Sequence, residues 1–163
     1  MNTVHVLIAN SDRRLNNLIE VAVRDVCYEH YLVECGITNR LDELLHRGSV
    51  SEFGLIFITP DHIVSGPTKR APRVTIEKAA EAIRTIKGLR PVPIIAVGVR
   101  SPDEIPLLEA GADNVFGILF DRDEFRAEIR RVLNLNERVQ EEEPAPSRWS
   151  FGLGFLRNVM SKT

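Results

Sequence analysis

Short runs of aliphatic and β-branched residues alternate along this chain with stretches whose apolar residues recur every three or four positions, and few folds accept that alternation. The first run, residues 4–9 (VHVLIA), reads as a buried strand. A helix is expected straight after it. Asp12 is placed to accept from the first free amides, and Leu15, Leu18, Ile19, Ala22, Val23 and Val26 form one apolar stripe. Residues 31–37 (YLVECGI) read as a second strand, followed by a short helix entered at Thr38 or Asn39 and stopped at Gly48. The third strand is residues 54–59 (GLIFIT); beyond it PDHIVSGPTKRAPR is punctuated by Pro and Gly and reads as a long exposed loop. Helix resumes near Thr75, with Ile76, Ala79, Ala80, Ile83 and Ile86 on one face and Gly88 as its stop. A fourth strand covers residues 92–97 (VPIIAV), followed by a short helix over 102–110 in which Pro106 sits awkwardly unless it lies in the first turn. A weak fifth strand over 115–119 and a last helix, capped by Asp121 and running through Phe125, Ile129, Val132 and Leu133, complete the series.

Five strands interleaved with five helices call for one parallel sheet covered on both faces, a three-layer α/β sandwich with right-handed crossovers. The length agrees, since 163 residues with 44% hydrophobic content supply one core and an appendage rather than two domains. The pattern ends near Asn136. Residues 1–135 are expected to fold, 136–147 (acidic, then Pro-bearing) to form a linker, and 148–163 an amphipathic apolar tail. A formal net charge of -2 gives no bulk attraction to nucleic acid or anionic lipid. No apolar run approaches the roughly 20 residues that span a bilayer, and no basic-then-apolar leader opens the chain. Cys27 and Cys35 fit neither a disulfide framework nor a zinc spacing, so they are expected as reduced thiols of a cytoplasmic protein. His5, His30, His46 and His62 form no ligand or catalytic pair, and neither a metal nor a cofactor is expected.

The order of elements, together with VLIANSDRRLNNLI, GLIFITP, PVPIIAVG and above all EAGADNVFGILFDRDEFRAEIRRVL, resembles the receiver domain of two-component response regulators, a flavodoxin-like fold, over about residues 3–135. Receivers move a phosphoryl group onto an aspartate at the end of strand three. Mg2+ sits on an acidic pair after strand one, and a hydroxyl residue and a lysine attend the phosphoryl oxygens. The resemblance places Asn10 and Ser11 at the acidic pair, Thr59 at the phosphoacceptor, Gly98 at the hydroxyl residue, and Ile118 with Leu119 at the Lys-Pro pair; the switch aromatic falls on Val115, beside Phe116. Every group the chemistry needs is replaced. The expected function is therefore that of a pseudo-receiver, a phosphorylation-independent protein-interaction module rather than an enzyme. The usual output face of receivers, helix four, strand five and helix five, carries Asp103, Glu104, Phe116, Arg126 and Arg130 as candidate contacts for a signalling partner or a second copy of the chain.

Two alternatives stay within the same architecture. Asp61, two residues past Thr59, is the alternative phosphoacceptor, although a Pro-Asp pair also simply starts a turn. The rim at the carboxyl ends of the strands offers Asn10, Ser11, Thr59, Asp61 and Gly98 to a small ligand. Cofactor motifs fail: there is no GxxxxGK[ST], Gly152 and Gly154 lack a strand before them and a third glycine after, and DHIVSG matches the cobalamin DxHxxG only loosely. Lys69, Arg70 and Arg73 make one basic cluster without interleaved aromatics, which argues against nucleic acid. In the tail, Trp149, Phe151, Leu153, Phe155, Leu156 and Met160 form an apolar docking segment, with a partner groove favoured over packing on its own domain and over a membrane interface.

Overall fold

The computed structural model describes residues 1–50, 52–68 and 70–135, so the expectations placed on Lys69, the linker and the tail lie outside the described residues. β1 (Asn2–Ala9) pairs in parallel with β2 (Tyr31–Thr38) along its whole length, Asn2 opposite Tyr31 and Ala9 opposite Thr38. β3 (Leu55–Ile58) lies on its other side, and β4 (Ile94–Ala96) and β5 (Asn114–Val115) follow, giving the all-parallel order β2-β1-β3-β4-β5. α1 (Arg13–Cys27), α2 (Leu41–Val50), α3 (Ile76–Leu89), α4 (Glu104–Glu109) and α5 (Arg122–Val132) connect and follow them. The three-layer parallel sandwich expected from the alternation is the one observed, in the flavodoxin-like form that the resemblance implies.

The caps explain why these helices start where they do. Asp12 accepts from the amides of Arg14 and Leu15, Thr75 from that of Lys78, and Asp121 from those of Asp123 and Glu124. α1 and α5 pack together on one side of the sheet, and α2, α3 and α4 follow one another on the other. The strands alternate accordingly. Ile56 and Ile58 enter an aliphatic layer with Leu44, Ala79, Ile83 and Ile86, whereas Phe57 points to the other face and meets Phe125, 5.7 Å between ring centroids. Phe116 and Phe120 complete that aromatic cluster around Phe125, at 5.2 and 4.9 Å. Cys27 and Cys35 are unpaired thiols, and burial pushes both up to about 11.

Four local expectations are corrected. Gly48 does not stop α2, which runs on to Val50. A Cβ at that position would come within 2.9 Å of Ile86 Cδ1, so the glycine serves the close approach of α2 and α3 rather than a turn. Gly88 likewise lies inside α3. The fifth strand has two residues instead of five, leaving Ile118 and Leu119 exposed beyond it. The Pro/Gly-rich stretch after β3 is not a loose exposed loop. It opens with a 3-10 turn (Pro60–His62) and folds into a strap, in which Val64 bridges Arg40 on one side and Arg73 on the other, with Ile63 and Val74 buried beneath.

Candidate functional site

A cleft of about 410 Å3 opens at the carboxyl ends of the strands, where α/β sheets of this kind hold their ligands. Its walls come from four connections and the strap: Asp12 and Leu15 after β1, Thr59, Asp61 and His62 after β3, Arg73 from the strap, Gly98 and Arg100 after β4, and Ile118 and Phe120 after β5. Of the positions matched to the receiver site, Thr59, Gly98 and Ile118 line it, as does Asp61. Asn10 and Ser11 do not line it.

Asn10 is buried and its side chain is fully engaged. Nδ2 donates to Asn16 Oδ1 at 2.9 Å, Oδ1 accepts from the Asp12 amide at 3.1 Å, and Asn16 Nδ2 donates back to the Asn10 carbonyl at 3.1 Å. The position has thus become a structural clasp closing the turn into α1. Ser11 is exposed, and the nearest carboxylate, Asp12, spends Oδ1 on the helix cap. Mg2+ requires carboxylate oxygens in an open octahedral arrangement. The donors here are a carboxamide already bonded on both atoms, the Asp12 carboxylate that caps α1, the Asp61 carboxylate beside Arg100 and the Thr59 hydroxyl, and with both carboxylates engaged the set does not fit that ion. Among the described residues no group of three or more His, Cys, Asp or Glu could hold a metal.

Thr59, 1% exposed, ends β3, and its Oγ1 has no hydrogen-bond partner. A threonine hydroxyl lacks the carboxylate that forms an acyl phosphate. Gly98 adopts φ +71°, a conformation strained for any L side chain, and a Cβ there would lie 3.3 Å from Thr59 Cγ2. A hydroxyl residue at that point is missing from the sequence and would be strained on this backbone. Asp61 sits in the 3-10 turn with Oδ2 3.7 Å from Arg100 Nε. The sequence pattern marks Thr59, Asp61, Gly98 and Ile118 but not Asn16, His62 or Arg100, and it places Arg73 in a basic loop, solvated or docking an acidic partner, rather than at the cleft; the strap that carries Arg73 there has no local signature.

The output-face expectations divide. Asp103, Glu104 and Arg130 are half-buried, in the connection to α4, in α4 and in α5. Phe116 is not an exposed contact, because it is locked in the aromatic cluster. Arg126 faces α1 instead: its Nη2 donates to Asp25 Oδ2 at 3.1 Å, and it lines a groove between α1 and α5 with Arg14, Leu18 and Arg122. The exposed apolar side chains of these elements are ones the sequence pattern did not single out as contacts, Ile105 and Leu108 on α4 and Ile118 and Leu119 before α5, with Leu119 97% exposed. Among the described residues no helix is long and apolar enough to cross a membrane.

No protein-family model and no curated protein matches the sequence. Solved structures do. The receiver domain of the sensor histidine kinase PA1611 from Pseudomonas aeruginosa, with magnesium coordinated in its active-site cleft, superposes with a TM-score of 0.59 at 18% identity, over 81% of this chain and 98% of that one. A CheY-like receiver domain protein from Methanospirillum hungatei gives 0.58 at 21%, over 84% and 98%. The CpaE2 pilus assembly protein from Sinorhizobium meliloti gives 0.58 at 13%, over 79% and 99%. Five parallel strands in the order 2-1-3-4-5, three packed layers and a cleft at the strand ends give this chain the CheY-like receiver fold.

Proposed function

We propose that this domain is a phosphorylation-independent pseudo-receiver, a cytoplasmic protein-interaction module of bacterial signal transduction that catalyses no reaction of its own. The observation that carries the reading is the clasp of Asn10 and Asn16, which occupies the metal-binding position with satisfied hydrogen bonds while Thr59 stands at the acceptor position. Recognition falls to α4 and the connection between β5 and α5, whose exposed Ile105, Leu108, Ile118 and Leu119 offer apolar anchors that a partner would desolvate. That the fold also occurs in a protein named for pilus assembly supports a role apart from phosphotransfer.

Incubation with acetyl phosphate and Mg2+ followed by intact mass measurement tests the first half. No adduct is expected, and one abolished by Asp61→Asn would replace this reading with an atypical phosphorylated regulator. Recovery of the tagged full chain, of Ile105→Glu/Leu119→Glu and of a form ending at Gln140 from the native host tests the second half. The paired charges should release the signalling partner. Loss only on truncation would move recognition to the tail that contains Trp149 and Met160. A homodimer through the same face would show as a doubled mass in light scattering that the paired charges abolish.

A further inference from the structure

The cleft at the strand ends is lined by more than the positions matched to the receiver site. Two carboxylates line it and both are engaged, Asp12 in capping α1 and Asp61 beside Arg100. Against them stand Arg73, Arg100 and, when protonated, His62, and among the described residues Arg73 has no carboxylate partner. The Thr59 hydroxyl is buried without a hydrogen bond just past β3, on a residue that lines the same cleft. We propose that the cleft binds a small organic oxyanion, a phosphate or carboxylate group held between Arg73 and Arg100 with Thr59 Oγ1 donating to it, and that no metal takes part.

The geometry supports each component. The hydrogen bonds from Ser65 N to the Pro72 carbonyl and from Val74 N to the Ile63 carbonyl fix the strap on either side of Arg73, so its backbone is positioned before any ligand arrives. Guanidinium groups present a planar fork of donors matched to carboxylate and phosphate oxygens. Leu15, Ile118 and Phe120 line the same cleft and give an apolar wall for the remainder of an organic ligand. Asp61, 3.7 Å from Arg100, then competes with the ligand for the same guanidinium. In an acyl-phosphate site that carboxylate would be indispensable; in an oxyanion site it opposes binding, and the two chemistries make opposite predictions for one substitution.

The test is titration of the 15N-labelled full chain with inorganic phosphate, phenyl phosphate and benzoate in the absence of Mg2+. Saturable shifts are expected at the amides of Asp12, Thr59, Asp61 and Gly98, with phenyl phosphate binding tighter than phosphate because of the apolar wall, and the stronger of phenyl phosphate and benzoate assigning the headgroup. Arg73→Gln and Arg100→Gln should each weaken binding by about tenfold or more. Thr59→Val, similar in shape, should weaken it while leaving the spectrum otherwise intact. Asp61→Asn should tighten it. The proposal is overturned by the absence of saturable shifts up to about 10 mM, an affinity two charge-assisted contacts should exceed. It is equally overturned by binding that survives both arginine substitutions, or by Asp61→Asn weakening it.

Discussion

The apolar layers on either side of the sheet and the rim at its carboxyl ends are built from the same strands, yet they answer to different rules. In the layers each residue is one of many that do the same work: Ile56, Ile83 and Ile86 on one face and Phe57, Phe116 and Phe125 on the other bury area, and area is additive and tolerant of exchange. At the rim each group acts alone. Asn10, at the position the resemblance matches to a metal ligand, forms a clasp with Asn16, and Thr59 offers a hydroxyl in place of the carboxylate an acyl phosphate needs. A fold of this kind can persist when rim residues differ, since the terms that stabilise it are spread over dozens of side chains whereas each rim group acts alone.

The difference can be broken or sharpened by substitution. Phe125→Ala should be the most damaging, because Phe125 is fully buried and touches three other rings; a loss of about 3–5 kcal/mol in urea unfolding is expected. A loss below ~1 kcal/mol would mean that the aromatic layer collapses around the gap and is more plastic than its packing implies. Asn10→Ala comes next. It strands Asn16 Oδ1 and the Asp12 amide and should cost about 1–3 kcal/mol, a structural price at a position that receivers reserve for chemistry. Asp12→Ala removes the cap of α1 and should cost about 1 kcal/mol. Thr59→Val should change stability by less than about 1 kcal/mol and in the stabilising direction, because it deletes a buried hydroxyl that has no partner.

The thiols add a pH dependence to the interior. Burial raises Cys27 and Cys35 from 9.0 to about 11, so the unfolded chain loses these protons at lower pH than the folded one does. Their contribution to stability is intact below pH 9.0 and falls as the pH rises from there to about 11. At neutral pH both should react slowly with iodoacetamide in the folded protein and quickly in urea; fast labelling of the folded form would place them in a more open setting.

Most of the sheet was legible because its signals are local and redundant. Asp12, Thr75 and Asp121 cap as their spacing requires, and runs such as LIFI and IIA leave no doubt about the buried strands. What was not legible depended on partners distant in sequence. Gly48 looks like a helix stop until Ile86 is known to press on it, and Arg126 looks like an output contact until Asp25 is found across from it. The fifth strand overran for a similar reason: VFGIL alternates well enough, but the pairing with β4 covers Asn114 and Val115 and closes with the Phe116 amide donating to the Ala96 carbonyl. The positions matched to the receiver site could be read residue by residue through the resemblance, whereas the cations that line the cleft could not, because Arg73 reaches it by way of the strap.

The strap also governs how the molecule breathes. Val64 donates its amide to the Asn39 carbonyl and accepts from the amide of Leu41, so a single residue fastens the start of α2 to the segment that carries Arg73. Neither side can open without the other losing both bonds. The amides of Leu41 and Val64 should consequently exchange with solvent deuterium at a common rate, as one cooperative unit, and anything that steadies the cleft would slow the fraying of a helix whose first turn does not line it.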